Sequence, residues 1–290
     1  MRGWGRSVYH AKTMNERVYV VTGATGGVGY ETARGIAQQG GRVVVVGRSA
    51  QKCRATVEQI SRETGNPQID SAVADLSVQA EIRRLAAELT ERYPRIHVLV
   101  NNVGAVFMKR QESADGVEMT LALNHLGTYL LTRLLLPVIQ ASAPSRIVNV
   151  SSVAHQGARI KFPALDFSGW TGYQASKLAN ILFTNELARR LDGTGVSVNA
   201  LHPGLVASNF GMNNPGPFRL LKPLVNLFAI NNEEGARTSV YLATSADVEA
   251  VTGQYFAGCK ARRSSPASMD REVAAKLWDV SAQMTGLAAD

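Results

Sequence analysis

A tyrosine and a lysine four residues apart form the pair in this chain most suggestive of chemistry. Tyr173 and Lys177 lie in the segment YQASK, which opens a predicted helix that continues to about Leu191. Residues at this spacing share one helical face. A neighbouring ammonium favours the phenolate, so we expect Lys177 to lower the pKa of Tyr173 toward the range for proton exchange near neutral pH. Standing alone, such a pair is more often incidental to an amphipathic helix, so the rest of the chain must support it.

A glycine-rich segment near the start of the chain predicts an anion site. The segment TGATGGVG, Thr22–Gly29, joins a β-branched run at Arg17–Val21, predicted to be a strand, to a predicted helix at Tyr30–Gln39. Its glycines at 23, 27 and 29 remove side chains where a ligand approaches the backbone. Free N–H groups and the positive end of the helix dipole are suited to a dinucleotide pyrophosphate.

The end of the second predicted strand, Arg42–Val46, bears on the choice of dinucleotide. An acidic residue near this position would bind the adenosine ribose hydroxyls, whereas an arginine accommodates a 2′-phosphate. Here Gly47 replaces the acid and Arg48 supplies a cation. The pattern favours NADP(H) over NAD(H). The alternative, that Arg48 is a solvated loop residue and NAD(H) also binds, stays open.

Polar residues follow several other predicted strands, and ligands gather at the carboxyl ends of parallel strands. Asp75 follows the third strand, Gln68–Ala74, and either contacts adenine or caps its loop; Ser77 is a candidate cap for the next helix. The remaining strands, at 96–100, 146–150 and 196–201, lead into Asn101–Gly104, Ser151–Ser152 and His202–Gly204.

Strand-like and helix-like segments alternate along the whole chain, which predicts an α/β fold. Further helices are expected at 51–64, 78–92, 112–136 (ending near Pro137), 232–244 and 271–284, with a last strand at 254–257. This alternation requires a doubly wound parallel sheet with helices on both faces. Without a linker or repeat, residues 17–290 are predicted to form one domain, preceded by a frayed arm at 1–16.

The composition argues against several functional classes. The net charge of +8 is spread along the 290 residues, and the only tight basic cluster is Lys260–Arg263, so a solvated surface without nucleic-acid binding is expected. The two cysteines, Cys53 and Cys259, have neither metal nor disulfide spacing, which favours a reducing, cytoplasmic setting. The five histidines form no metal-binding pattern.

An irregular apolar segment at about 206–230 is interpreted as a substrate lid. Its prolines and glycine alternate with leucine and phenylalanine, and this composition predicts an apolar alcohol or carbonyl substrate. An ordinary core helix is one alternative. The other is a membrane-surface helix at 218–228, for which Arg219 and Lys222 would face the lipid headgroups, making the protein membrane-associated.

These motifs, in their order and spacing, resemble the short-chain dehydrogenase/reductase superfamily across residues 17–257. The segments NHLGTYLLT and RIVNVSSVAH, and the long interval from Ser152 to Tyr173, are similar to the retinol-dehydrogenase-like branch. The resemblance implies a Rossmann-like sheet with strand order 3-2-1-4-5-6-7. Position 103 is usually alanine in the family and is valine here. The bulkier side chain would narrow the space for the adenosine.

The resemblance also implies residue roles. Tyr173 would exchange the proton, Lys177 would assist it and bind the nicotinamide ribose, Ser152 would orient the substrate oxygen, and Asn124 would hold a water that relays protons. The dinucleotide would be bound by Gly23, Thr25, Gly27, Val28, Gly29, Arg48, Asp75, Leu76, Asn102, Val103, Gly104, Tyr173, Lys177, Pro203, Gly204, Val206 and Ser208.

The sequence thus predicts an NADP(H)-dependent oxidoreductase that interconverts a hydrophobic alcohol and its aldehyde or ketone. The alternative is a catalytically silent dinucleotide-binding sensor, against which the joint presence of Asn124, Ser152, Tyr173 and Lys177 argues. The C-terminal segment either covers the lid or forms a contact in a homo-oligomer, and the sequence leaves both open.

Overall fold

Eight short strands form one sheet in the computed structural model, which describes residues 14–162, 165, 167–204 and 230–288. The spatial order is β3-β2-β1-β4-β5-β6-β7-β8. The first seven strands run parallel, and β8 is antiparallel to β7. The bounds are β1 Val18–Thr22, β2 Arg42–Gly47, β3 Ile69–Val73, β4 Val98–Asn101, β5 Ser145–Val150, β6 Val196–Leu201, β7 Tyr255–Ala257 and β8 Lys260–Arg262. The predicted doubly wound order is confirmed, with one further strand at its end.

The valine-rich runs form the centre of the sheet because both of its faces are covered. In β2, Val44 and Val46 pack into the core on one face, whereas Val43 and Val45 pack into the core on the other. This period of two buries every second side chain on the same side. In β1, β2 and β4 the polar residues are therefore confined to the strand ends, where a site can form.

Seven helices of the described chain flank the sheet. Their bounds are α1 Gly27–Gln38, α2 Ala50–Thr64, α3 Gln79–Arg92, α4 Gly127–Gln140, α5 Gly169–Arg190, α6 Asn232–Thr244 and α7 Arg271–Thr285. Helices α1, α2 and α6 cover one face, and α3, α4 and α5 cover the other. Helix α7 packs against the outer side of α5, so α5 lies between the sheet and α7.

The helix predicted at 112–136 begins later and ends later than expected. A short helical turn at Met119–Leu121 leads into a π-helical turn at Ala122–Leu126, and α4 then continues to Gln140. Glu118 caps the first turn by accepting a hydrogen bond from the amide of Leu121. Pro137 lies inside α4. A proline at this position removes one backbone hydrogen bond of the helix, the one to the carbonyl four residues earlier.

The predicted basic cluster Lys260–Arg263 proved to contain the edge strand β8. Gly258 and Cys259 join it to β7, and both have positive φ, as a two-residue hairpin turn requires. All three residues of β8 are exposed. An edge strand that is short and carries cationic side chains pairs poorly with a strand of another chain.

Two predicted segments fall outside the described residues: 1–13 of the N-terminal arm, and 205–229, which includes almost all of the proposed lid together with Val206 and Ser208. Within the part of the chain that the structure describes, no helix is both long and apolar enough to cross a bilayer.

Candidate functional site

The glycine loop after β1 folds back closely on itself. Gly23 and Gly27 adopt φ values of +65° and +58°, a region that favours glycine. A Cβ atom at Gly29 would collide with the carbonyl oxygen of Gly23 and with Nδ2 of Asn102. Glycine is thus required here by backbone shape and by close packing.

The N-terminus of α1 remains open to an anion. Gly26 provides no side-chain cap, and the first turn carries no acidic residue. The amide groups of this turn can therefore bind phosphate oxygens without a competing carboxylate. Thr25 packs on the end of β2, because a Cβ at Gly47 would come within 2.6 Å of its methyl group. Val28 lies in the same turn, half-buried. These observations fit the dinucleotide pyrophosphate implied by the sequence.

The loop after β4 supports the glycine loop. Asn102 donates through Nδ2 to the Thr22 carbonyl at 3.0 Å, and its amide donates to Thr22 Oγ1 at the same distance. The Val103 amide donates to that hydroxyl at 3.2 Å, while the Val103 side chain packs partly buried against the core. The side chain of Asn102 therefore fixes the loop. Thr22, which sequence reasoning had passed over, connects the two strand ends.

Arg48 is exposed directly after β2, at the start of α2. Ser49 caps that helix, whose first turn also lacks an acidic residue. Among the described residues the structure records no ion pair for the Arg48 guanidinium. A cation and a positive helix end thus lie together at this strand end.

Asp75 adopts the capping arrangement that was one of its two predicted roles. Its Oδ1 accepts hydrogen bonds from the Ser77 amide at 2.9 Å and the Ser77 hydroxyl at 2.7 Å. Ser77 itself does not cap α3, whose N-cap is Val78 without a side-chain bond. The side chain of Leu76 is buried in the core, and its carbonyl packs against Gly127. Leu76 can therefore present only its backbone to a ligand.

The proposed catalytic residues converge where β5 ends against α5. Ser152 hydrogen-bonds the Tyr173 hydroxyl. The Lys177 amine donates to the Val150 carbonyl at 3.1 Å and lies 5.7 Å from the centre of the Tyr173 ring. Ser151, which precedes Ser152, is buried and donates to the Lys177 carbonyl at 2.7 Å. Ser151 thus anchors α5 to the strand, while Ser152 faces the tyrosine.

Burial, rather than the lysine, governs the ionisation of Tyr173. Burial raises the pKa of Tyr173 to about 12, and the hydrogen bond from Ser152 acts in the opposite direction. Burial also lowers the pKa of Lys177 to about 8. The expectation that Lys177 depresses the pKa of Tyr173 is wrong for this structure, because desolvation disfavours the charged form of both groups.

Asn124 lies in the π-helical turn and binds both the β4 loop and α5. Its Oδ1 accepts from the Ala105 amide at 2.9 Å, and its Nδ2 donates to the Ala105 carbonyl at 2.8 Å and to Ser176 Oγ at 3.0 Å. A Cβ at Gly104 would lie 3.0 Å from Lys177 Nζ and 3.5 Å from Asn124 Oδ1. Gly104 therefore leaves open a space that is bordered by the Lys177 amine and the Asn124 amide oxygen.

Three exposed apolar side chains lie on segments next to this centre. Met108, Val153 and Trp170 come from three separate segments and are 40%, 51% and 44% exposed. The Trp170 ring lies 5.4 Å from that of Tyr173, and the Gly169 amide donates to the Phe107 carbonyl at 3.1 Å, which joins two of the segments. We refer to these three side chains as the apolar lip.

The end of β6 leads into His202–Gly204. His202 Nδ1 accepts from the Gly204 amide at 3.0 Å, and Pro203 lies between them. Gly204 has a φ of +93°, and a Cβ there would press on Ile230. Among the described residues, no three histidine, cysteine, aspartate or glutamate side chains gather as a metal site would require.

Comparison with known proteins agrees with this fold. The family model described as short chain dehydrogenase matches residues 17–216. The chain is 40% identical to retinol dehydrogenase 14 of Homo sapiens, over 99% of this chain and 90% of that protein. A crystal structure of an uncharacterized protein from Mycobacterium paratuberculosis superimposes with a TM-score of 0.76 at 30% identity, covering 95% of each chain. The RhlG/NADP active-site complex of Pseudomonas aeruginosa gives 0.66 at 30% identity, over 83% of this chain and 94% of that one.

This chain belongs to the short chain dehydrogenase family. It is accordingly an NAD(P)-dependent oxidoreductase, and the resemblance to retinol dehydrogenases inferred from the sequence is confirmed.

Proposed function

We propose that the protein is an NADP(H)-dependent oxidoreductase that interconverts an apolar alcohol and its aldehyde or ketone. The observation that carries the proposal is the hydrogen bond between Ser152 and Tyr173, formed next to Lys177 at the carboxyl edge of the sheet. The glycine loop lies at the same edge. A dinucleotide held there would reach the three side chains.

The chain's own groups supply the proton and the orientation. The dinucleotide, when bound, supplies or accepts the hydride. Tyr173 is protonated at neutral pH, which suits it to donate a proton to the oxygen of a carbonyl substrate. Ser152 hydrogen-bonds the same oxygen and stabilises the charge that develops on it. Lys177, held by Val150, provides positive charge near the tyrosine and a donor for the ribose. Asn124, whose amide oxygen borders the same space as the Lys177 amine, would position a water that replaces the proton.

The preference for NADP(H) rests on the end of β2. Arg48 and the positive N-terminal end of α2 would both attract an adenosine 2′-phosphate, and Gly47 supplies no carboxylate to repel it. The similar Pseudomonas aeruginosa structure is a complex with NADP, which is consistent with this preference. NAD(H) remains the competing dinucleotide that the experiments must include.

The substrate class rests on the apolar lip. Three exposed hydrophobic side chains on segments next to the proposed catalytic residues favour a ligand with an extended apolar body and one reactive oxygen. Retinol, which the similar human protein is named for, is an apolar alcohol of this kind. Retinal therefore belongs in the substrate panel, beside aliphatic aldehydes and aromatic ketones.

The test replaces Tyr173 by phenylalanine. We expect Tyr173→Phe to reduce NADPH oxidation with apolar carbonyl compounds by on the order of 10³-fold while NADPH still binds, because only the exchangeable proton is lost. Tyr241→Phe, a half-buried tyrosine of α6, is the matched control and should keep its activity. Unchanged turnover in Tyr173→Phe would refute the role of Tyr173. NADPH binding without turnover by the unchanged protein across the panel would support the silent sensor.

A further inference from the structure

We infer that His155 is a positioning residue that fixes Ser152 in its catalytic orientation and connects it to the segment after β8. The inference rests on the proposed function, since it concerns how the serine of that site is held. His155 is the last residue of the short 3-10 turn Val153–His155, which begins directly after Ser152. Its side chain is completely buried, although it lies within three residues of a half-exposed catalytic serine.

Both ring nitrogens of His155 are used. Nδ1 lies 2.7 Å from the Ser152 carbonyl oxygen, and Nε2 lies 3.1 Å from the Ser265 amide nitrogen. A carbonyl can only accept and a peptide amide can only donate. Nδ1 must therefore carry the proton and Nε2 must accept, so a single neutral tautomer satisfies both partners. Burial lowers the pKa of His155, which favours this neutral form.

Hydrogen bonds hold both the carbonyl and the hydroxyl of Ser152. Its carbonyl also accepts a hydrogen bond from the His155 amide at 3.2 Å, in addition to the bond from the ring. The Ser152 hydroxyl accepts from the Ala154 amide at 3.2 Å. With that acceptor position filled, the hydroxyl is oriented so that its own proton is available to Tyr173 or to a substrate oxygen. A tilt of this turn would misdirect the hydroxyl, and small errors in orientation cost large factors in rate.

The ring is held in turn by the far end of the sheet. Tyr255 of β7 packs edge-on against His155, with ring centres 5.0 Å apart, and His202 stacks on Tyr255 at 6.1 Å. Ser265, whose amide donates to the ring, follows β8 and precedes the turn Pro266–Met269. The position of Ser152 thus depends on residues far later in the chain, through one imidazole.

Three substitutions separate the two hydrogen bonds from the packing. Asparagine at 155 can place its amide nitrogen near the position of Nδ1, and glutamine can place its amide oxygen near the position of Nε2. Phenylalanine preserves the ring and its contact with Tyr255 but makes neither bond. We expect His155→Phe to lower kcat about 10- to 100-fold, with little change in NADPH affinity, because Ser152 acts on the substrate oxygen. His155→Asn should recover most of this loss, and His155→Gln should not.

A double-mutant cycle asks whether His155 acts through Ser152. If it does, His155→Phe combined with Ser152→Ala has the same kcat as Ser152→Ala alone, since there is no hydroxyl left to orient. Multiplicative effects of the two changes would overturn the inference, as would full turnover in His155→Phe with normal NADPH binding. If His155→Phe does not fold, equal kcat values for His155→Asn and His155→Gln would overturn it instead.

The Tyr173→Phe variant, assayed in parallel, separates this inference from the proposed function. Turnover that survives in Tyr173→Phe, or is absent from the unchanged protein, means that the proposed function fails and that the inference about His155 fails with it. Loss of turnover in Tyr173→Phe together with an unaffected His155→Phe means that only the positioning role is wrong.

Discussion

The amine of Lys177 lies 3.1 Å from the carbonyl oxygen of Val150 and donates a hydrogen bond to it. This bond fixes the lysine at the end of β5, on the side where Tyr173 and Gly104 approach it. The amine is buried, and burial lowers its pKa to about 8. A group with this pKa changes its charge within the range in which enzyme assays are done.

The two directions of reaction should therefore depend differently on pH. Carbonyl reduction needs protonated Tyr173, whose pKa is raised to about 12, and charged Lys177. We expect its kcat/KM to be level near neutrality and to fall as the pH rises through about 8, where Lys177 loses its proton. Alcohol oxidation needs the tyrosine to accept a proton and should rise with pH up to about 8, above which loss of the Lys177 charge makes it level.

The measurement is kcat/KM in both directions from about pH 6 to about pH 10. Lys177→Met should abolish the decline of the reductase profile near pH 8 while also lowering its plateau. A decline that persists unchanged in Lys177→Met would assign it to another group.

Replacement of Arg48 tests the cofactor preference. Arg48→Ala should raise the KM for NADPH by about 10- to 100-fold, the range expected for one charge-assisted contact with a phosphate, and should leave the KM for NADH nearly unchanged. Arg54→Ala removes an exposed arginine of α2 itself and is the matched control. Equal losses for both dinucleotides in Arg48→Ala would contradict a role in selecting the 2′-phosphate.

Replacement of Gly29 tests the tight packing of the anion loop. A methyl group there would collide with the Gly23 carbonyl, so Gly29→Ala should destabilise the fold by about 1–3 kcal/mol and impair binding of NADPH and NADH alike. Gly26→Ala is the contrast, because no atom lies within 4 Å of its added Cβ and its φ of 172° suits any residue. Thermal unfolding and dinucleotide titration would distinguish the two, and equal stability of the variants would count against the packing argument.

Removal of the largest side chain of the apolar lip tests the substrate class. Trp170→Ala should raise the KM for retinal or a long-chain aldehyde by about 10-fold, because burying a large apolar side chain against the ligand contributes about 1.5–3 kcal/mol, partly lost on truncation. A short aldehyde that does not reach Trp170 should be converted as before. Met269→Ala, which removes an exposed apolar side chain outside the lip, is the control. A KM shift of the same size for every aldehyde would show that Trp170 supports Tyr173 rather than the substrate.

Much of the fold could be predicted from the sequence because its signals are local. The period and length of the valine-rich runs located β2 to within a residue, and β6 and α6 were predicted with their observed bounds. The π-helical turn around Asn124 could not be predicted in this way, since its hydrogen bonds shift by one residue without changing the apolar pattern. The strand β8 was missed because its exposed residues, Lys260–Arg262, carry no pattern of burial.

The site could be predicted only where residue types were already characteristic. Tyr173, Lys177 and Ser152 could be proposed from the sequence, and the structure brings them together. Thr22, Ser176 and His155 have contacts distant in sequence that no spacing reveals. The segment RIVNVSSVAH, one of those on which the family resemblance rested, ends in His155. Its partner Ser265 lies 110 residues away, and that separation concealed its role.

Helix α7 lies over α5 and contributes Trp278, which packs against Phe183 and Tyr129, and Ser281, which hydrogen-bonds His125 beside Asn124. The helix that bears Tyr173 is thus enclosed by residues that are synthesised well after it. During translation the nascent chain exposes these aromatic side chains until α7 has left the ribosome, and a chain that stops before Arg271 would keep them exposed.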